Sequence, residues 1–121
     1  MNKSGNAVAP AARFYKMKSR DVFVIHDDAD ILLGRAKLSF GKRSAGHKGV
    51  ESVRRALGTW DFWRFRIGIQ KKKRVDAMKL VLQKFTPDEA RSVKKIIKKT
   101  LAALAKAVAE NPEKAISEYN K

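Results

Sequence analysis

Asp21-Val22-Phe23-Val24-Ile25-His26 is a short, nearly continuous apolar run rich in β-branched residues. Such a run fits a strand buried on both faces, in a parallel or mixed sheet flanked by helices. Apolar character stops at Asp27-Asp28-Ala29-Asp30, so the strand is expected to end there. In open α/β sheets, ligands bind in the crevice at the carboxyl ends of strands, which makes these acids candidates for chemistry. After Gly34, residues Arg35 to Phe40 alternate strictly. Arg35, Lys37 and Ser39 face one way and Ala36, Leu38 and Phe40 the other, the pattern of a half-buried strand. Trp60 to Gln70 reads as another strand, with Trp63, Phe65, Ile67 and Ile69 on its apolar face and Arg64 and Arg66 opposite. Each of these two strands therefore places paired cations on one side. A strand holds such residues more rigidly than the lysine run Lys71 to Arg74, so Lys37, Arg64 and Arg66 are the candidates for specific contacts.

The remaining segments read as helices and loops. Gly41 to Gly49 is a loop carrying Lys42 and Arg43, and the helix after it buries Val50, Val53 and Leu57 and stops at Gly58. Ala77 to Phe85 fits helix and strand equally. Thr86-Pro87-Asp88-Glu89 has the form of a capping box and opens a long helix. Ala90, Val93, Ile96, Ile97, Leu101, Leu104 and Val108 give that helix a core-facing stripe. Asn111-Pro112 interrupts it, and Glu113 to Asn120 supply one further turn or two. The expected fold is α/β: a mixed β-sheet flanked by helices, with a long carboxy-terminal helix.

The chain has 121 residues, enough for one domain with a real core and too few for two. With no cysteine there is no disulfide and no thiol nucleophile, and two histidines alone make a structural zinc site improbable. No metal and no cofactor are expected. No apolar run is long enough to span a membrane, and the first fifteen residues lack the apolar stretch of a secretory signal, so a soluble cytoplasmic monomer is expected. Lys plus Arg is 28 against 12 acids, a formal charge of +16, which points to a polyanionic partner. The charge is uneven: residues 1–34 carry +1, residues 35–74 carry +11 and residues 75–121 carry +4. A solubilising role would not cluster it in mid-chain. No basic amphipathic helix concentrates it for a lipid surface either, so nucleic acid is the favoured partner.

An ordered series of short blocks narrows the reading. Met1-Asn-Lys-Ser-Gly-Asn-Ala-Val8, Val24-Ile-His-Asp-Asp-Ala-Asp-Ile31 with Gly34, Gly46-His-Lys-Gly49, Leu57-Gly-Thr59, Phe62-Trp-Arg-Phe-Arg-Ile-Gly-Ile69 and Val81-Leu-Gln-Lys-Phe85 follow one another. In order and spacing they resemble the bacterial-type peptidyl-tRNA hydrolases over roughly residues 1–90. The resemblance implies a mixed sheet flanked by helices, and cleavage of the ester joining a peptide to the 3′ end of tRNA. It implies a histidine general base, an aspartate that orients it, and asparagines that position substrate, a division of labour suited to activating water against an ester.

Carried over residue by residue, Asn2 matches the asparagine of the Met-Asn-x-Ser-Gly block and Asp27 matches the aspartate that partners the catalytic histidine. Arg66 matches a block suited to the phosphates of the acceptor stem. Lys48 departs from the family's Gly-His-Asn-Gly, where an amide that donates and accepts is replaced by a cation that only donates. Asn2, Lys48 and Arg66, with Lys37 and Arg64, form the expected substrate- and tRNA-binding set, and Asp27 is the expected catalytic residue. Family members also carry a segment ahead of the Met-Asn-x-Ser-Gly block, containing the first strand and the catalytic histidine. The expectation is a single, amino-terminally truncated domain over residues 1–121 that lacks its general base. His26, adjacent to Asp27 on a strand, is expected to point to the opposite face, into the core. His47 precedes a helix at a position that is not the family's base. The alternative function is a non-catalytic basic module that binds RNA or tRNA.

Overall fold

A computed structural model describes residues 3–14, 16–44, 46–71, 76–80, 84–110 and 112–120. Its elements, in chain order, are α1 (Gly5–Phe14), β1 (Phe23–Leu32), β2 (Ala36–Phe40), α2 (Lys48–Leu57), β3 (Trp63–Gln70), α3 (Ala77–Leu80), α4 (Pro87–Ala109) and α5 (Pro112–Tyr119). The strands form a three-stranded sheet in the order β1-β3-β2. Trp63 N–H donates to Val22 O and Leu33 N–H to Gln70 O, so β1 and β3 run parallel. Gly41 N–H donates to Phe62 O and Gly68 N–H to Arg35 O, so β2 and β3 run antiparallel. The sheet is mixed, as the apolar run at Asp21–His26 implies.

The chain divides into two compact units, residues 1–26 with 39–64 and residues 27–38 with 65–121. In the first unit, Val50, Val53 and Phe62 are fully buried, and Val8, Val22, Val24, Leu57 and Trp60 pack around them. Helix α2 ends as expected at Gly58, which adopts the left-handed conformation at φ 77° and returns its N–H to Arg54 O. Helix α1, by contrast, carried no clear signal in the sequence, because Pro10 removes an intrahelical donor. Packing overrides that loss: Ala9 and Ala12 are buried, and Gly5 N–H donates to Ser52 Oγ of α2 at 3.1 Å.

In the second unit, α4 begins at the Thr86 capping box, with Glu89 N–H donating to Thr86 Oγ1 and Thr86 N–H to a Glu89 carboxylate oxygen. The expected core stripe is displaced around the helix. Ile96, Thr100 and Ala107 are the buried positions, whereas Ile97, Leu101 and Val108 are 48, 57 and 72 % exposed. Thr100 belongs to the inner face because its hydroxyl is satisfied there, by Ile96 O at 2.8 Å and the Tyr119 hydroxyl at 2.7 Å. Tyr119 also meets Phe65 edge to face, with centroids 5.1 Å apart. Beside it, the Asn120 amide accepts from Leu38 N–H at 2.7 Å and donates to Leu38 O at 3.1 Å, pairing with β2 as a further strand would.

Three strand boundaries or faces differ from the sequence expectation. β1 does not stop at His26 but continues through Asp27, Asp28 and Asp30 to Leu32. Backbone pairing with β3 carries it on; Asp30 is exposed, and the shielded Asp28 is met by Arg66 of β3. β3 starts at Trp63 rather than Trp60, because Phe62 N–H turns back to Trp60 O at 2.7 Å. Its two faces are not one apolar and one exposed. Consecutive residues Trp63, Arg64 and Phe65, which point to alternate faces, are all buried. The Val81 to Gln83 part of the last sequence block, like Lys72 to Arg74, lies outside the described residues.

Two substitutions test this architecture. A Cβ on Gly68 would collide with the Leu32 carbonyl oxygen and lie 2.7 Å from that of Ile31, where the β1–β2 turn approaches β3. Gly68→Ala is expected to cost about 2–3 kcal/mol in urea unfolding, the scale of overpacking. Asn120→Ala removes two backbone partners and is expected to cost about 1–2 kcal/mol in the same measurement.

Candidate functional site

The first unit gathers Arg64, His26, His47 and the loop after β2. Arg64 is 2 % exposed. Its Nη2 donates to the carbonyls of Lys42 at 3.0 Å and Arg43 at 3.2 Å, and its Nη1 lies 3.1 Å from His26 Nε2. A guanidinium has no lone pair to offer, so His26 Nε2 is the acceptor and the ring is neutral with its proton on Nδ1. His26 is buried, as expected, and its ring meets that of His47 edge to face at 4.8 Å. His47 in turn caps α2, its Nδ1 accepting from Val50 N–H at 3.2 Å. Ser44 Oγ donates to Glu51 at 2.9 Å, which ties the same loop to the first turn of α2. From this frame the side chains of Lys42, Arg43 and Lys48 are exposed to solvent. Arg54 lies over Trp60 at 5.9 Å, so Trp60 is engaged by a cation and by stacking on Phe62. Trp63 packs between Phe23 and Phe40, as its alternation with core residues suggests.

The second unit gathers the acids of β1 with Lys37 of β2 and Arg66 of β3. Asp27 is half-buried within β1 rather than standing beyond its end. Arg66 Nε donates to Asp28 at 2.9 Å, and the other Asp28 oxygen accepts from Asp30 N–H at 2.8 Å. Gln70 Nε2 donates to Ala29 O at 2.8 Å, tying β3 to β1 past the acids. Lys37 is exposed on β2. A cleft of about 430 Å³ is lined by Leu32, Leu33, Arg35, Gln70, Lys71 and Glu89. Lys71 pairs with Glu89 there and holds that carboxyl below its usual range, with Thr86 N–H adding to the effect. No sequence pattern pointed to this cleft, because its lining comes from a turn, a strand end and a helix start that are remote along the chain.

The candidates named from sequence thus receive distinct surroundings. Asn2 lies outside the described residues. Asp27, Arg66 and Lys37 belong to the second unit, and Lys48 and Arg64 to the first. Arg64, read as a candidate for specific contacts, is buried, and its guanidinium serves protein acceptors. The His26–Arg64 pair escaped sequence reasoning because strand periodicity reports the face a residue occupies, not its partner across the sheet.

Comparison with known proteins rests on the whole chain. The peptidyl-tRNA hydrolase family model matches residues 1–121. This chain belongs to the peptidyl-tRNA hydrolase family. It is 39% identical over 122 residues to the peptidyl-tRNA hydrolase of Aquifex aeolicus, covering 100% of this chain and 64% of that one. It is 44% identical over 116 residues to that of a Mycobacterium species, covering 95% and 60%. Among solved structures, the peptidyl-tRNA hydrolase of Acinetobacter baumannii superposes with a TM-score of 0.86 at 29% identity, over 99% of this chain and 61% of that one. The chain therefore spans less than two thirds of the length of these relatives. Among the described residues, no helix is long and apolar enough to cross a membrane.

The Arg66–Asp28 pair offers a direct check of the second unit. Its side chains are mostly shielded from solvent, so a double-mutant cycle with Arg66→Met and Asp28→Asn is expected to give a coupling of about 1 kcal/mol or more. The same cycle on the exposed Arg91–Asp88 pair is expected to give less than about 0.5 kcal/mol.

Proposed function

We propose that this chain serves peptidyl-tRNA hydrolysis, in which water attacks the carbonyl carbon of the ester between a peptide and tRNA. The ester carbon–oxygen bond breaks, the departing ribose oxygen takes one proton of the water and becomes a hydroxyl, and the peptide is released as a carboxylate with the second proton passing to solvent. The observation that carries the reading is the family match along residues 1–121. Within it, Asp27 is the aspartate that orients the general-base histidine and steadies its charged form. Asn2 positions substrate near the scissile bond, and Arg66, Lys37 and Lys48 hold tRNA phosphates. The partner is tRNA and the compartment is the cytoplasm, where stalled translation leaves such esters. The protein acts as a monomer.

Neither histidine of this chain is proposed as the base. His26 is buried with its Nε2 engaged by a guanidinium. His47 lends its Nδ1 to the start of α2. A positioned general base contributes on the order of 10² to 10⁴ in rate. The 121 residues by themselves are therefore expected to hydrolyse N-blocked aminoacyl-tRNA at least about 100-fold more slowly than a full-length relative. Release of the blocked amino acid from labelled tRNA measures this, and turnover equal to the relative's would defeat the assignment and return His47 to candidacy. The exposed cations Lys42, Arg43 and Lys48 favour a second reading, in which the chain is a non-catalytic tRNA-binding module. Asp27→Asn separates the two: it lowers residual turnover under the first reading and changes nothing measurable under the second.

A further inference from the structure

Arg64 is a cation in the most basic stretch of the chain, yet at 2 % exposure it is in no position to rest on a phosphate. Its Nη2 instead spans two successive carbonyls, those of Lys42 and Arg43, while Nη1 is held by His26. Both loop residues send their own side chains into solvent. We propose that Arg64 is a positioning residue for tRNA binding, fixing the backbone from which Lys42 and Arg43 project so that both cations are aimed before the nucleic acid arrives. This rests on the reading of tRNA as the partner and adds Lys42 and Arg43 to the residues that meet it.

The geometry explains why an arginine is needed here. Carbonyl oxygens only accept, and the planar guanidinium directs several donors at once in fixed directions. Charge-assisted bonds in a water-poor setting hold the two peptide units more firmly than hydration would. His26 completes the clamp: as a neutral acceptor it fixes the guanidinium from the far side, and its ring rests against His47, the residue that starts α2. The clamp therefore joins the loop before α2 to the cap of α2 itself. A loop ordered in advance does not lose that freedom on binding, which strengthens association without any new contact.

The salt dependence of tRNA affinity tests this, measured on the full chain as wild type, Arg64→Lys, Lys42→Ala/Arg43→Ala and the triple variant. Each lost phosphate contact should lower the magnitude of the log–log salt slope by about 0.7–0.9. The loop double variant is expected to lower it by about twice that. Arg64→Lys leaves net charge unchanged, yet is expected to lower the slope by at least one contact's worth and to weaken binding roughly tenfold. The triple variant should match the loop double variant, because Arg64 acts through those residues. A wild-type slope in Arg64→Lys, or losses that add in the triple variant, overturns the positioning role while leaving tRNA binding intact. A loop variant with a wild-type slope overturns the site itself, and salt-independent binding overturns tRNA as the partner. Should Arg64→Lys lose its near-ultraviolet circular dichroism, amide relaxation of the wild-type protein decides. Order parameters at Lys42 and Arg43 near the rigid-backbone value of about 0.85 support the clamp, and values below about 0.6 in free protein overturn it.

Discussion

Backbone donors and acceptors along Trp63 to Gln70 must be satisfied on both edges of a strand, and the rest of the structure follows from that demand. β1 lies on one side and β2 on the other, one parallel and one antiparallel. Besides this pairing on both edges, Trp63, Arg64, Phe65, Gly68 and Gln70 are buried by what packs over the strand. The side chains buried there must be apolar, absent, or fully partnered. Phe65 is the first case, Gly68 the second, and Arg64 and Gln70 the third. Arg64 is the costly one, because a buried charge is tolerated only when its donors are used, and loop carbonyls and an imidazole use them here.

The two arginines of β3 show how one sequence pattern divides into two physical roles. Arg66 is half-buried and takes a carboxylate, Asp28, as its partner. Arg64 holds neutral acceptors, two loop carbonyls and the His26 ring. An ion pair fixes two side chains, whereas carbonyl acceptors fix backbone. The strand therefore orders side chains at one position and a loop at the other. The exposed cations Lys42, Arg43 and Lys48 are carried by a loop and a helix start, the parts of a fold that carry function on a rigid frame.

Much of this was legible in the chain. The Thr86 capping box, the Gly58 stop, the mixed sheet and the buried setting of His26 were all read from spacing and residue type, because each depends on neighbours within a few positions. Helix α1 was not, since Pro10 argues locally against a helix that packing on α2 sustains. The inner face of α4 was displaced because Thr100, polar in sequence, finds Tyr119 and enters the core, while Leu101 and Val108 do not. For the site, family resemblance named Asp27 and Arg66, and structure supplied what periodicity lacks: Asp27 lies inside a strand rather than after it, and Asp28 is the partner of Arg66.

Sequence alone determined the residue types, their charge and their family: a cation-rich α/β chain whose ordered blocks mark it as a peptidyl-tRNA hydrolase homologue. Those properties are written in composition and in local spacing, so no fold is needed to read them. Only the tertiary structure decided which cations face solvent and which face protein. That choice depends on which loops, helices and side chains pack over each position, as the loop carbonyls and His26 do over Arg64, and those contacts join residues far apart in the chain.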